Sequence, residues 1–287
     1  MNTQDLLKRV RAVEIKTRGL SNQIFSGEYH SAFKGRGMAF SEVREYMPGD
    51  EIRTIDWNVT ARLNHPYVKV FEEERELTVI LVVDMSAGRM FGTNEQLKKE
   101  LITEISALLA FSAIQNNDKI GALFFADEPE KFIAPKKGKS HILRIIQELI
   151  NYEPKTKKTN IQEALKYVNN IVKKRSIVFL ISDFIDDNFS DAVKITNRKH
   201  DLVALHVRDR HEEKLSDLGL VPFQDPENGE TLWIDTSDAS VRKKYETERK
   251  KQVNELREVF RKAGVDAAPV YTGEDYVKPL MNLFRQR

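Results

Sequence analysis

Leu77-Thr78-Val79-Ile80-Leu81-Val82-Val83-Asp84-Met85-Ser86-Ala87-Gly88 is the stretch that decides the fold. Up to Val83 it is a nearly unbroken apolar run, rich in β-branched residues, as expected of a strand buried on both faces. Such strands belong to parallel sheets, which need helical crossovers. The following sequence supplies them. Leu97, Leu101, Ile105, Leu108 and Leu109 share one helical stripe, and Ile120 to Phe125 reads as a second strand. Ile142, Ile145, Ile146 and Leu149 mark a helix, and Ile161, Leu165, Val168 and Val172 mark another. Ser176 to Ile181 is a strand, Phe189 to Thr196 a helix and Leu202 to Val207 a strand. A short strand from Thr231 to Ile234 follows the turn Asp225-Pro226-Glu227-Asn228-Gly229. A charged helix over 239–262, with Val241, Tyr245, Val253, Leu256 and Phe260 inward, leads to a last strand from Val265 to Tyr271. The alternation predicts an α/β class: a doubly wound, mostly parallel central sheet flanked by helices.

Upstream the rhythm differs. Residues 1–20 read as a short amphipathic helix carrying Leu6, Leu7, Val10, Val13 and Ile15. Over 26–76 the glycines Gly27, Gly35 and Gly37 and the turn Pro48-Gly49-Asp50 break the chain, and Tyr67 to Phe71 alternates like a strand. The expected organisation is a small N-terminal α+β region, 1–76, and a larger α/β domain, 77–287.

Composition excludes several classes. Among 287 residues 40% are hydrophobic and there is no cysteine, so disorder, disulfide scaffolds, zinc-thiolate sites and cysteine nucleophiles are all out. Lys plus Arg is 46 against 44 for Asp plus Glu, a balance that gives no electrostatic case for nucleic acid. The basic runs Lys136 to Lys139 and Lys155 to Lys158 and the acidic Glu72, Glu73, Glu74 and Glu76 read as solvated loops or element ends. No apolar run approaches the ~20 residues of a spanning helix, and the charged N-terminus lacks a signal core, so a cytoplasmic location is expected.

In an open doubly wound sheet, ligands bind beyond the carboxyl ends of the strands, where the strand order reverses. The first buried strand runs into Asp84, Ser86 and Gly88; the strand at 176–181 runs into Asp183 and Asp186; Thr159 and Asn160 precede the helix at 161–172. If these loops converge, carboxylates and hydroxyls meet at one rim, and such hard oxygen ligands suit Mg²⁺.

Asp84-x-Ser86-x-Gly88, Thr159 and Asp183 resemble the metal-ion-dependent adhesion site of von Willebrand factor A domains, whose first motif is Asp-x-Ser-x-Ser. Gly88 departs from it, standing where the second serine belongs. The resemblance implies Asp84, Ser86, Thr159 and Asp183 as metal ligands, with Mg or Mn as the ion. The missing hydroxyl leaves metal occupancy open, because water can fill its place, while Arg89 can instead offset the carboxylates by bridging Asp84 and Asp183. Thr159-x-x-Gln162 and Asn160-x-x-Glu163 both fit a capping box; if Asn160 caps, Thr159 is free to face the site. Further upstream, Gly49-Asp50-Glu51-Ile52-Arg53-Thr54-Ile55-Asp56-Trp57, Ala61-Arg62 and Val68 to Glu74 resemble the signature of the bacterial domain-of-unknown-function family fifty-eight. The resemblance covers roughly residues 30–210. Arg53 and Asp56 are expected to hydrogen-bond within this segment and Trp57 to anchor it. Members of that family carry a von Willebrand A-like domain and are commonly encoded beside MoxR-type AAA+ ATPases and other von Willebrand A proteins. The resemblance therefore implies a non-catalytic adaptor in a chaperone-like assembly or maturation system, compatible with peripheral attachment to a membrane complex through its partners.

The competing reading is a Mg²⁺-dependent phosphohydrolase of the haloacid-dehalogenase kind, with Asp84 as nucleophile and Asp183 and Asp187 holding the metal. Ser86 opposes it, because that chemistry wants a second, titrating carboxylate two residues after the first.

Overall fold

A computed structural model of the chain describes residue 14 and residues 38–73, 77–92, 96–224 and 229–287. Apart from Glu14, the helix expected over 1–20 lies outside the described residues, as do Gly27, Gly35 and Gly37. The chain divides into two compact units, Phe33–Leu77 and one that holds Thr78–Arg287.

In the smaller unit, β1 (Met38–Glu45) pairs antiparallel with β2 (Tyr67–Glu73), with a register shift at Phe40/Glu42. The turn that follows β1 is held by charge. The two terminal guanidinium nitrogens of Arg44 donate to Asp50 at 2.7 Å, and Met47 N donates to the same carboxylate at 2.8 Å. Gly49 has φ +112°, a conformation that side chains resist. Asp56 caps helix α1 (Trp57–Leu63), accepting from Asn58 N at 3.0 Å and Val59 N at 3.3 Å, and pairs with Lys69 at 3.5 Å. Asp56 thus hydrogen-bonds within the segment. Trp57 is a correction: it is 67% exposed and anchors no core. The half-buried side of α1 is Val59 and Thr60, where the Thr60 hydroxyl accepts from Tyr67 N, and Trp57 lies outside it. Arg53 is exposed as well.

In the larger unit, β3 (Thr78–Asp84) is followed by α2 (Lys98–Gln115), β4 (Lys119–Phe125), β5 (Pro129–Lys136), α3 (Lys139–Asn151), α4 (Ile161–Ile171) and β6 (Ile177–Ser182). Then come α5 (Ser190–Lys199), β7 (Asp201–Arg208), the hairpin β8 (Leu220–Gln224) and β9 (Thr231–Asp235), α6 (Ala239–Ala263), β10 (Asp266–Tyr271) and α7 (Val277–Arg285). The six-stranded sheet has the order β10-β7-β6-β3-β4-β5. All its pairings are parallel except β4 with β5. This is the doubly wound, mostly parallel α/β sheet that the apolar runs led one to expect. The edge strand β5 and the last helix α7 carried no expectation. Pro129 and Pro135 argue against a ladder strand, and the fold tolerates them by placing β5 at the margin.

Alternation along the central strands sorts side chains between two layers. Ile80 and Val82 of β3 and Val178 and Leu180 of β6 face α4, α5 and α6, meeting Leu165, Val168, Val193 and Phe260. Phe179 points to the other face, where its ring meets Phe284 of α7 edge-on at 6.3 Å. The long helix α6 buries only Phe260 fully, while Leu256 and Val259 pack on the same core. Its outer face carries local ion pairs such as Lys250–Glu246 at 2.7 Å and Arg261–Glu258 at 2.6 Å. No helix among the described residues is long and apolar enough to cross a membrane.

Truncating Ile80, which has no exposed surface, should cost about 2–5 kcal/mol in an Ile80→Ala variant, from lost transfer energy plus a cavity. Urea unfolding would measure it. The same change at exposed Ile185 should stay within about 0.5 kcal/mol of wild type.

Candidate functional site

The strand order reverses between β3 and β6, and there the loops converge. Val83 lies opposite Ile181 in the parallel ladder, so Asp84 and Ser182 leave the sheet together. Asp84 is 3% exposed, and both its oxygens are engaged. Oδ1 accepts from Ser86 N at 2.9 Å, and Oδ2 accepts from the Ser182 hydroxyl at 2.6 Å. Ser182 Oγ in turn accepts from Phe184 N at 2.9 Å. Two further bonds bind the neighbouring loops to this one. Met85 N donates to Phe125 O at 2.7 Å, at the end of β4, and Ala87 N donates to Lys157 O at 3.0 Å. Asn160 N donates to Ala126 O at 2.9 Å. The three loops singled out in the sequence thus meet at one rim.

Asn160 caps α4, its side chain accepting from Glu163 N at 3.1 Å, which leaves Thr159 half-buried on the loop and free of the capping role. Asp186 has a second structural duty at the same helix start: Ile161 N donates to its carboxylate at 2.7 Å. Phe184 holds a left-handed φ of +55°, which costs about 1–2 kcal/mol for a residue with a side chain. Aromatic packing against Phe189, His206 and Phe260 offsets it, with ring centroids at 6.1, 5.6 and 5.1 Å. That kink turns Asp183 toward the rim and Ile185 out to solvent.

The expectation that Arg89 bridges the carboxylates is overturned. Its guanidinium donates to Tyr152 O at 2.7 Å and lies 3.4 Å from the Met85 sulfur. A lysine is the cation instead. Lys98, at the start of α2, is 1% exposed, and its ammonium donates to Asp183 Oδ2 at 3.2 Å and to Glu212 Oε1 at 2.6 Å. The Phe91 ring lies 5.7 Å from the same ammonium. Burial pulls this lysine down, but the Asp183 and Glu212 carboxylates together hold it above the ordinary lysine value. Sequence reasoning missed Lys98, Glu212 and Ser182. One signal for Lys98 was available: it stands in the first turn of a helix, where the macrodipole disfavours a cation. Glu212 sits in a short turn after β7, where Asp209-x-x-Glu212 fits a capping box, a local signal for its place in the turn but none for its pairing with Lys98.

Charge crowding acts on the neighbours. Burial first, and then the Asp183 charge, raise Asp84 from the usual carboxylate range to about 7, against the hydrogen bonds from Ser182 and Ser86. Burial, followed by the charges on Arg208 and Lys98, lowers His206 to about 3, so this histidine stays neutral at ordinary pH.

A divalent ion of the Mg or Mn kind needs carboxylate lone pairs at about 2.0–2.1 Å for Mg²⁺. Here all four carboxylate oxygens of Asp84 and Asp183 already accept protein donors, the last being Asp183 Oδ1, which accepts from Ile185 N at 3.3 Å. An ammonium sits against Asp183, where it would repel a second cation. Among the described residues no group of three or more His, Asp or Glu is arranged to hold a metal. Each of these oxygens keeps a second lone pair, so what sets Asp84, Ser86, Thr159 and Asp183 against a resident divalent ion is the ammonium already paired with Asp183. Gly88 belongs to the same arrangement. A Cβ at that position would come within 2.6 Å of Asp183 Oδ2, so the carboxylate occupies the space a serine would need.

The family model described as "Protein of unknown function DUF58" matches residues 42–255. An uncharacterised protein of Mycobacterium tuberculosis is 29% identical over 228 residues, covering 78% of this chain and 72% of the relative. Among solved structures, the conserved hypothetical protein BatB from Bacteroides thetaiotaomicron superposes with a TM-score of 0.49 at 13% identity, covering 73% of this chain and 98% of that one. The VWA domain of SpRpn10 gives 0.39 at 10% identity, covering 74% and 95%.

Two outcomes test this geometry. Gly88→Ala should lower stability by about 1–3 kcal/mol, because the new methyl meets a carboxylate that Lys98 holds in place; chemical unfolding would measure it. The second concerns pH. A carboxyl raised above its unfolded value contributes stability that is complete below about pH 4 and lost as pH rises through about 7. Asp84→Asn should therefore flatten the pH profile of the melting midpoint across that window.

Proposed function

The chain belongs to the DUF58 family, and from that premise we propose that it is a non-catalytic interaction protein whose doubly wound domain is von Willebrand factor A-like. It acts in the cytoplasm with a MoxR-type AAA+ ATPase and other von Willebrand A proteins, in chaperone-like assembly or maturation. One observation carries this reading. The rim around Asp84 and Asp183 is closed internally, yet the residues just beyond it present apolar side chains to solvent: Met90 at 56% exposure, Phe91 at 42% and Ile185 at 51%. Met90 lies two residues beyond Gly88 and Ile185 two beyond Asp183, and Gly88 and Asp183 are in close approach. Clustered exposed apolar side chains at a ligand-binding edge support docking of a protein surface.

The engagement of Asp84 supports a non-catalytic role over the phosphohydrolase. A nucleophilic carboxylate needs an oxygen aimed at substrate, whereas this group is 3% exposed and its two oxygens turn to Ser86 N and the Ser182 hydroxyl.

Calorimetry with the purified MoxR-type ATPase encoded in the same genome tests the proposal. Wild type should bind, and Met90→Asp and Ile185→Asp should each weaken binding at least tenfold, or about 1.4 kcal/mol, with the melting midpoint unchanged. No binding by wild type, or equal binding by both variants, overturns it. Turnover of an aryl phosphate with Mg²⁺ that Asp84→Asn abolishes would overturn the non-catalytic reading.

A further inference from the structure

We infer that Lys98 is a built-in cation that takes the place of a divalent ion, so that the rim between β3 and β6 is assembled without metal. The argument begins with burial. A lysine that is 1% exposed is rare and is retained in proteins only when paired. Its partners come from separate parts of the sheet edge: Asp183 from the loop after β6 and Glu212 from the turn after β7, while Lys98 itself starts the helix after β3. A single ammonium thereby joins three loops at the carboxyl end of the sheet. That is the work a multidentate ion does when it draws loop carboxylates together.

Gly88 is the second half of the same change. A side chain at 88 would meet Asp183 Oδ2 at 2.6 Å. Glycine therefore lets the backbone approach and leaves Asp183 within reach of Lys98. The departure from the serine motif and the lysine ten positions later then have one physical cause. With Phe91 over the ammonium, water has little access to the pair. The inference concerns how the rim is built and stands whether or not a partner docks on it, so the partner-binding test above is decided separately.

The experiment uses the full chain. Wild type is titrated with Mg²⁺ and Mn²⁺ by calorimetry and melted with each ion and with a chelator. No saturable heat and an unchanged midpoint are expected. Saturable binding that Asp183→Asn abolishes would overturn the inference. In Lys98→Met, Asp183 and Glu212 lose their cation. That variant should melt lower than wild type, and Mn²⁺ should raise its midpoint in an Asp183-dependent manner. A Lys98→Met protein that melts like wild type, or one that folds but ignores both ions, would also overturn it. If Lys98→Met fails to fold, the wild-type titration decides.

Discussion

The parallel pairing of β3 with β6 is the constraint on which the rest of this site depends. Because the chain winds outward from β3 in one direction and from β6 in the other, the loops leaving these two strands diverge and open a crevice. The register Val83↔Ile181 then fixes which residues line it. Asp84 and Ser182 emerge side by side and bond to each other, and Asp183 follows at once. A one-residue slip would turn the alternating side chains to the opposite faces and break this arrangement. The apolar packing of Ile80, Val82, Val178 and Leu180 under α4 and α5 holds that register, so the core positions the carboxylates.

Legibility in the sequence followed the range of the interactions. Continuous apolar runs name buried strands without help from the rest of the chain, which is why β3, β4, β6 and β7 could be read directly. The edge strand β5 could not, since Pro129 and Pro135 erase the local signal and only its place beside β4 makes sense of them. The same holds at the site. Asp84, Asp183 and the Asn160 cap announce themselves by following or preceding apolar elements. The pairing of Lys98 with Glu212 spans more than a hundred residues, and no spacing rule reaches that far. Arg89 was the nearest cation in sequence, but its guanidinium turns back to Tyr152 O in the loop beyond α3.

Helix starts also mislead about exposure. Trp57 closes a spaced motif and is large and apolar, features that predict burial. The Asp56 cap instead sets the orientation of α1, with Val59 and Thr60 on its half-buried side. The apolar side chain that α1 half-buries is Val59, and Trp57 stays outside.

Lys98 replaces a reversible interaction with a permanent one. A bound ion leaves when its concentration falls, and the loops it gathered lose their tie. An ammonium on the chain cannot leave, and breaking a buried pair by removing one partner costs about 3–5 kcal/mol because the remaining charges lie uncompensated. The desolvation of Lys98, Asp183 and Glu212 is costly too, so the triad contributes geometry more than net stability. With the ionic centre closed, charge on the rim is spent internally, and Met90, Phe91 and Ile185 are left as the outward chemistry. On the proposed docking reading, a partner is selected by apolar fit rather than by offering a carboxylate to a metal. On that reading, recognition depends weakly on salt and not on divalent ions, because apolar contact rather than charge engages the partner.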